Sequence, residues 1–396
     1  MRPHPRKTFL AFGVAAFFVL MITYPAAIYR GATGGLGIWW QIVFPSLLPF
    51  FIATELLLAL GVIQFLGALL EPLTQKIFRL PGTAAFALAA GYTSGYPMGA
   101  AVAARLKSQN LLSAPEAARL AAFTNNAGPL FVLVAVAVGM YQNPGLGPFL
   151  AGIHYLSNVL TGIILALFTR PSAQSGHNPW RQAVEALSRV QRSDPRNIGQ
   201  LAGEAVRTAV NNLFTIGGFI CLFAVLFQLF HEVPFLRAIL RLTGGLLEKM
   251  GLPPALWPAL GAGFFEVTLG AKTAAAANAP LFEKILVTQI ILSWNGLSVV
   301  MQALSFLAAA KVPGTFFLLG RLMQALFACT LTYILFPLFA PRFYQAAAAV
   351  PAAVPSFAAT VAGATALCVA ANLSLAALAL VVGLSFHRKG YRQRYH

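Results

Sequence analysis

Apolar runs about as long as a lipid bilayer is thick dominate this sequence and decide what it can fold into. Roughly 20 apolar residues are enough for a helix that crosses the hydrocarbon core. Eight runs reach this length, at residues 8–29, 38–64, 117–140, 149–169, 208–231, 284–310, 315–340 and 357–386. The composition agrees, because 58% of the 396 residues are apolar and only 9% are charged, too few polar groups to cover a water-soluble fold. We therefore predict an all-α, polytopic membrane protein with about eight transmembrane helices.

Two further apolar stretches are broken by glycine and proline, and they fit neither a span nor a loop. They cover residues 83–105 and 254–278, and each follows a short segment with apolar residues at helical spacing. We predict that these short segments, near 65–77 and 235–247, are helices in the membrane interface. The broken stretches are predicted to be re-entrant hairpins, in which two half-helices meet at a polar tip. The alternative is a glycine-rich helix crossing that only permits close packing.

These elements recur in the same order, which indicates an internal repeat. Gly91 and Gly261 are 170 residues apart, and Asn126 and Asn295 are 169 apart. Because three predicted crossings separate the two hairpins, the second repeat is predicted to be inverted, a plan that recurs in secondary transporters. The predicted order is an N-terminal transmembrane helix (1–35), repeat 1 (36–169), a polar cytoplasmic loop (170–206), repeat 2 (207–340), and an Ala/Pro-rich link with a terminal transmembrane helix and a basic tail (341–396).

Basic residues outnumber acidic ones by 27 to 10, and they sit between the apolar runs. This position indicates membrane topology rather than a nucleic-acid partner. Under the predicted layout, 20 Lys and Arg residues lie on one face, Arg119 and Arg321 among them, and 7 lie on the other. By the positive-inside rule, both termini are predicted to be cytoplasmic.

The tip of the first hairpin combines glycine, proline and hydroxyl side chains at residues 91–100. Such residues cannot face lipid, because the freed backbone groups would lack partners. The free N–H groups at the start of a half-helix suit an anion. We therefore predict substrate ligands at this tip, namely Tyr92, Ser94, Gly95 and Tyr96.

Two predicted spans are interrupted by polar residues at matching positions of the repeat. One carries adjacent Asn residues followed by Gly128 and Pro129, and the other carries a single Asn. Paired breaks of this kind are the best sequence pointer to a transporter binding site, although Asn residues also join helices by hydrogen bonds. The predicted ligands here are Thr124, Asn125, Asn126, Ser293, Asn295 and Ser298.

Charged residues inside the predicted membrane region need a reason, because each costs about 2.5–3.5 kcal/mol at the bilayer centre. Lys272 in the second hairpin is predicted to attract an anionic substrate, with snorkelling to the interface as the alternative. Glu266 would carry a coupling proton or pair with Lys272. His154, within a span, is expected to be a packed, hydrogen-bonded residue rather than a ligand.

Signatures of catalysis are missing from the sequence. It contains one aspartate, Asp194, and neither an HExxH nor a GxSxG motif. General acid–base chemistry would have few groups to use. We expect no enzymatic activity, no catalytic residue, no metal site and no cofactor, and we leave coupling to a proton or to Na⁺ open.

Three motifs stand out together: Phe44-Pro45-Ser46-Leu47-Leu48-Pro49-Phe50-Phe51, Ser94-Gly95-Tyr96-Pro97-Met98-Gly99-Ala100 and Phe123-Thr124-Asn125-Asn126. In this combination the chain resembles the YlbJ family of sporulation integral membrane proteins, over roughly residues 36–340. That family is grouped with nucleoside-recognition gate domains, which also occur in concentrative nucleoside transporters. The resemblance implies a gate fold of interfacial helices, hairpins and interrupted helices.

The resemblance also implies a role in spore formation and in delivering dipicolinate across the outer forespore membrane. We thus expect a secondary transporter of a small organic anion in the bacterial cell membrane. The first hairpin carries Tyr and Ser where nucleoside transporters place an acidic residue, which favours an anion. Two alternatives stay open: a carrier of nucleosides or another polar metabolite, and a non-transporting scaffold that recruits proteins through loop 170–206. Gate-domain proteins often form oligomers, so a homo-oligomer is a further expectation.

Overall fold

The computed structural model describes residues 5–167, 179–238 and 252–346, and this part of the chain is all helical. The predicted all-α fold is confirmed. The α-helices are α1 (Pro5–Thr23), α2 (Pro25–Ile38), α3 (Phe44–Ala59), α4 (Val62–Phe78), α5 (Ala84–Ser94), α6 (Met98–Ser108), α7 (Ala114–Thr124), α8 (Leu146–Leu167), α9 (Pro179–Ser193), α10 (Ile198–Glu232), α11 (Trp257–Phe265), α12 (Val267–Ala276), α13 (Leu281–Trp294), α14 (Gly296–Ala309) and α15 (Thr315–Ala346). The π-helical segments are Trp39–Val43 and Phe131–Met140, and a 3₁₀ turn covers Pro254–Leu256.

Within the described residues, five helical stretches are long and apolar enough to cross a membrane. They are Pro25–Ala59, Leu146–Leu167, Ile198–Glu232, Leu281–Ala309 and Thr315–Pro341. They correspond to five of the eight predicted spans. The predicted span 117–140 consists of two shorter helices, and the predicted span 357–386 lies outside the described residues.

The boundary between the first two predicted spans, 8–29 and 38–64, differs from the prediction. The first helix ends at Thr23, and a 35-residue helical stretch from Pro25 to Ala59 follows. Proline disfavours the helical conformation in the residue before it, and Tyr24 is accordingly non-helical with φ −122° and ψ 55°. The proline therefore places the boundary earlier than the apolar pattern suggests.

Both broken stretches form a pair of short helices joined at a tip. Residues 95–97 join α5 to α6, and Glu266 alone joins α11 to α12. Both interrupted spans are interrupted where predicted, at residues 125–128 and at Asn295. The helix α4 covers the first predicted interfacial segment, whereas residues 239–251, which hold most of the second, lie outside the described part. That the hairpins re-enter the membrane stays a prediction.

Two apolar cores hold the described helices together, and each core combines both repeats. One contains α5, α6 and α7 of the first repeat with α14 and α15 of the second. The other contains α11, α12 and α13 of the second repeat with segment Phe131–Met140 and α8 of the first. Each interrupted helix therefore leaves one core and enters the other, so both breaks lie at the junction between the cores.

The polar segment 170–206 is not a loop throughout, because α9 and the start of α10 lie within it. The α9 helix packs against α4 and its preceding turn. The Gln191 amide donates to the Leu60 carbonyl at 3.3 Å, and the rings of Trp180 and Phe65 meet edge to face at 5.5 Å. The polarity of this segment predicted a loop, but its apolar residues recur at helical spacing, and the structure shows that the helix packs against α4.

Two of the arginines assigned to the basic face are buried. Arg119 is 5% exposed and Arg321 is 0% exposed. Arg119 donates to the carbonyls of Phe78 and Arg79 at 3.5 and 3.4 Å. These two residues therefore do not contribute to the surface charge asymmetry, because their guanidinium groups bind backbone inside the molecule. The orientation of the termini stays a prediction.

Candidate functional site

The first hairpin packs directly on the first helix break. A Cβ atom at Gly91 or Gly99 would lie 2.2 Å from the carbonyl oxygen of Thr124, so α5 and α6 both contact the end of α7 without side chains between them. At the tip, Gly95 has φ +79°, and a Cβ there would lie 2.6 Å from the nitrogen of Gly128. Only glycine permits this approach and this backbone conformation.

The second repeat builds the same contact. Gly296 has φ +72°, and a Cβ there would lie 2.8 Å from the Val267 nitrogen and 3.0 Å from Glu266 Cα. The Trp294 indole donates to the carbonyl of Phe264 at 3.0 Å. In both repeats, therefore, the hairpin tip rests on a glycine at the C-terminal edge of the break: Gly128 is its last residue in the first repeat, and Gly296 directly follows it in the second.

The two breaks also contact each other. The side-chain amide of Asn295 donates to the backbone carbonyl of Asn125 at 3.3 Å. Both residues are fully buried. The residues predicted from matching repeat positions are thus brought together at the centre of the described fold.

A cavity of about 80 Å³ lies between the hairpin tips and the outer helices α3 and α10. Five of the predicted ligands line it, namely Ser94, Gly95, Tyr96, Glu266 and Ser298. Both repeats contribute, because residues after the first break and after the second break also form its wall. The rest of the wall is mostly apolar, which is typical of a small-molecule site.

Glu266 is the one charged residue in the described lining of this cavity. It is 3% exposed and caps the N-terminus of α12, because its side chain accepts from the Leu269 N–H at 2.6 Å. Among the described residues no ion pair joins it to Lys272. Lys272 is partly exposed and does not line the cavity.

The other predicted ligands lie outside the lining. The hydroxyls of Thr124 and Ser293 donate to carbonyls four residues earlier in their own helices, at 2.8 and 2.7 Å. Both amide atoms of Asn125, by contrast, have no hydrogen-bond partner among the described residues, nor has the hydroxyl of the cavity-lining Tyr96. The hydroxyl of Tyr92 and both amide atoms of Asn126 likewise have no hydrogen-bond partner among the described residues. Buried polar atoms of this kind normally have a partner, and a ligand or water supplies it where the protein does not.

Sequence reasoning missed the buried network behind the first break. Arg321 donates from Nη1 to the Asn125 carbonyl at 3.0 Å and to Gln324 Oε1 at 2.6 Å. Its Nη2 donates to the Ala122 carbonyl and to Asn158 Oδ1, the latter at 3.3 Å. The available signal was an arginine six residues into an otherwise apolar run at 315–340.

His154 belongs to the same network and is packed and hydrogen-bonded, as expected. Its Nε2 accepts from the Ala127 N–H at 3.1 Å, and its Nδ1 lies 3.2 Å from the Gln324 amide nitrogen. The hydroxyl of Tyr155 donates to the Ala127 carbonyl at 3.0 Å. The unwound segment thus receives side-chain hydrogen bonds from α8 as well as from α15. In the described part of the chain, no three metal-ligating side chains converge.

Comparison with known proteins places this architecture in a family. Residues 40–174 match the family model described as "Gate: Nucleoside recognition". The chain is 38% identical over 333 residues to the sporulation integral membrane protein YlbJ of Bacillus subtilis (strain 168). The aligned region covers 81% of this chain and 82% of that protein. This chain belongs to the YlbJ family. It is an integral membrane protein, and residues 40–174 form the region that matches the nucleoside-recognition gate model.

Two solved structures of CNTnw also resemble this member of the YlbJ family. One is in an inward-facing substrate-bound state, with a TM-score of 0.49 and 14% identity, covering 82% of this chain and 85% of that chain. The other is a variant in an intermediate state, with a TM-score of 0.47 and 15% identity, covering 83% and 85%.

Proposed function

We propose that this YlbJ-family protein is a secondary transporter of a small organic acid, with dipicolinate across the outer forespore membrane as the first candidate. The observation that carries the proposal is the composition of the cavity wall. Ser94 and Tyr96 come from one hairpin tip and Glu266 from the other, Gly128 comes from the first break, and Ser298 comes from the helix that follows the second break. A ligand there would contact every discontinuous element at once.

Such an arrangement suits alternating access. The hairpins and interrupted helices form tightly packed units through their glycine contacts, whereas α3 and α10 supply apolar wall residues such as Phe51 and Phe219. If the hairpins and interrupted helices slid together against these outer helices, the cavity would open to one side of the membrane and then to the other.

The carboxylate of Glu266 in the cavity wall limits which ion can accompany an anionic cargo. An anionic cargo and an ionised Glu266 would repel each other strongly in a poorly solvated site. We therefore propose that the anion enters together with a proton on Glu266, which makes the carrier proton-coupled. A Na⁺ ion close to the carboxylate is the other means of cancelling this charge.

The decisive experiment is uptake of labelled dipicolinate into liposomes that hold the purified protein, under imposed proton or Na⁺ gradients. We expect saturable uptake that excess unlabelled dipicolinate suppresses and excess uridine leaves unchanged. Protein-free liposomes and a sample inactivated by heat are the controls. No uptake under any gradient, from protein shown to be folded, would overturn the proposal.

A nucleoside cargo is the second candidate, and a specific observation favours it. The first repeat matches a nucleoside-recognition model, and the buried carboxylate of Glu266 is a strong acceptor for sugar hydroxyls. Uptake of labelled uridine, or suppression of dipicolinate uptake by uridine, would favour this candidate over the first.

A further inference from the structure

Arg321 is a buried positive charge without an acidic partner. It is 0% exposed, and no carboxylate of the described residues lies within ion-pair distance of it. A buried charge that lacks compensation is strongly destabilising. Groups other than carboxylates must therefore supply the negative potential that stabilises the Arg321 guanidinium.

The end of α7 supplies part of that potential. The last carbonyls of a helix have no partner within the helix, and they carry its partial negative charge. The Arg321 guanidinium donates to two of the carbonyls at this end, those of Ala122 and Asn125. It thereby caps α7 and fixes where the chain unwinds.

The same guanidinium holds a segment that reaches the cavity. It binds the carbonyl of Asn125, and Gly128, at the end of the same unwound segment, lines the cavity wall. Asn125, whose carbonyl binds Arg321, has an amide group with no partner among the described residues. In an interior of low effective dielectric, a charge acts across several ångströms.

We propose that Arg321 is a positioning and charge-selecting residue: it holds the first break in shape through the carbonyls of Ala122 and Asn125, and it supplies the positive potential that Lys272 was predicted to supply. The first part concerns the fold alone, and the second part rests on the proposed function. Arg321 itself does not line the cavity, so it acts through the groups that it holds.

Hydrogen–deuterium exchange tests the first part without any substrate. The variants are Arg321→Gln, Arg321→Lys and, as matched control, Arg119→Gln, which removes another buried arginine that binds backbone carbonyls. We expect faster exchange over residues 122–130 in both Arg321 variants, since neither keeps the planar fork, and no change there in Arg119→Gln. Unchanged exchange in Arg321→Lys, or equal acceleration in the control, would overturn the positioning role even if Arg321→Gln fails to fold.

The preference for a charged over a neutral substrate tests the second part, the charge-selecting role of Arg321. We compare the KM for dipicolinate with that for pyridine-2,6-dicarboxamide, its neutral counterpart, in the same liposomes. Loss of the charge in Arg321→Gln should shift the ratio of the two KM values about tenfold or more toward the diamide, whereas Arg321→Lys and Arg119→Gln should keep the wild-type ratio. An unchanged ratio in Arg321→Gln contradicts the charge-selecting role. Absence of uptake by the wild type contradicts the proposed function instead.

Discussion

Asn126 is a fully buried amide in an otherwise apolar stretch, opposite Tyr92. We expect Asn126→Ala to abolish uptake while the amount of folded protein stays unchanged. The substitution removes donor and acceptor atoms near the site but leaves the backbone break to be held by Arg321 and the glycine contacts. Initial uptake rates, normalised to folded protein measured by size-exclusion chromatography, give the readout.

An exposed asparagine provides the control for this change. Asn278 lies after α12 and is exposed, so Asn278→Ala should retain wild-type uptake. Normal transport by Asn126→Ala would remove this residue from the site.

Glu266→Gln tests the proposed proton carrier. Glutamine keeps an oxygen that can accept from the Leu269 N–H, so the cap of α12 should survive. We expect uptake by this variant to become insensitive to an imposed pH gradient, while exchange of labelled for unlabelled substrate continues. Glu185→Gln, on the exposed face of α9, serves as the control. Retained acceleration by the pH gradient in Glu266→Gln would exclude Glu266 as the carrier of the coupled proton.

At the residue scale, the sequence identified polar groups inside apolar runs but not where their side chains lie. Ser94, Tyr96 and Glu266 line the cavity because they lie at the tips of the two hairpins, where the helices of each pair meet. Lys272 stands six residues beyond Glu266, far enough along α12 to lie off the cavity wall. The topology argument assigned Arg321 to the basic face, because a run of apolar residues does not reveal which neighbouring helix faces each position.

At the element scale, the contact between the first hairpin and α7 should depend on the absence of a side chain at Gly99. We expect Gly99→Ala to lower the free energy of unfolding by about 1–3 kcal/mol, as overpacking does, because the facing atom is a backbone oxygen that cannot rotate away. The midpoint of thermal unfolding, followed by fluorescence-detected size exclusion, measures the effect.

Gly152 in α8 is the matched control, since a Cβ there meets nothing within 4 Å. Gly152→Ala should leave the midpoint unchanged or raise it, because alanine has the higher helix propensity. Equal midpoints for Gly99→Ala and the wild type would contradict the packing described for the hairpin.

The breaks were the most predictable elements, because glycine, proline and asparagine clustered inside an apolar run disfavour a continuous lipid-facing helix. The helix α9 was missed although its sequence carries a signal, because Trp180, Ala183, Val184 and Leu187 recur at the spacing of an amphipathic helix. The sequence does not show that this helix packs against α4. Pro25 in the sequence signals the helix boundary at Tyr24. The apolar run continues across this boundary, so composition alone does not reveal it.

At the scale of the whole molecule, the orientation in the membrane is the prediction to test. Cysteine labels or reporter fusions at Ser188 and at His396 should both report the cytoplasmic side. Ser188 lies on α9, and His396 lies outside the described residues. An extracytoplasmic signal at either site would contradict the assignment of residues 83–105 and 254–278 as re-entrant hairpins.

The repeat was visible in the sequence, but the exchange of partners between its copies was not. Matching residues 169 and 170 positions apart indicate two similar units. They do not show that α14 packs against α6, or that α12 packs against segment Phe131–Met140. That arrangement depends on contacts distant in the sequence, which only the three-dimensional structure supplies.

One oxygen atom, the backbone carbonyl of Asn125, accepts hydrogen bonds from both Arg321 and Asn295. The start of the first unwound segment is thereby joined both to α15 and to the break of the second interrupted helix. Withdrawal of either donor leaves a buried acceptor less satisfied, at a cost of about 1–3 kcal/mol. A displacement of the second break or of α15 therefore changes the hydrogen bonding of the first break through this single atom.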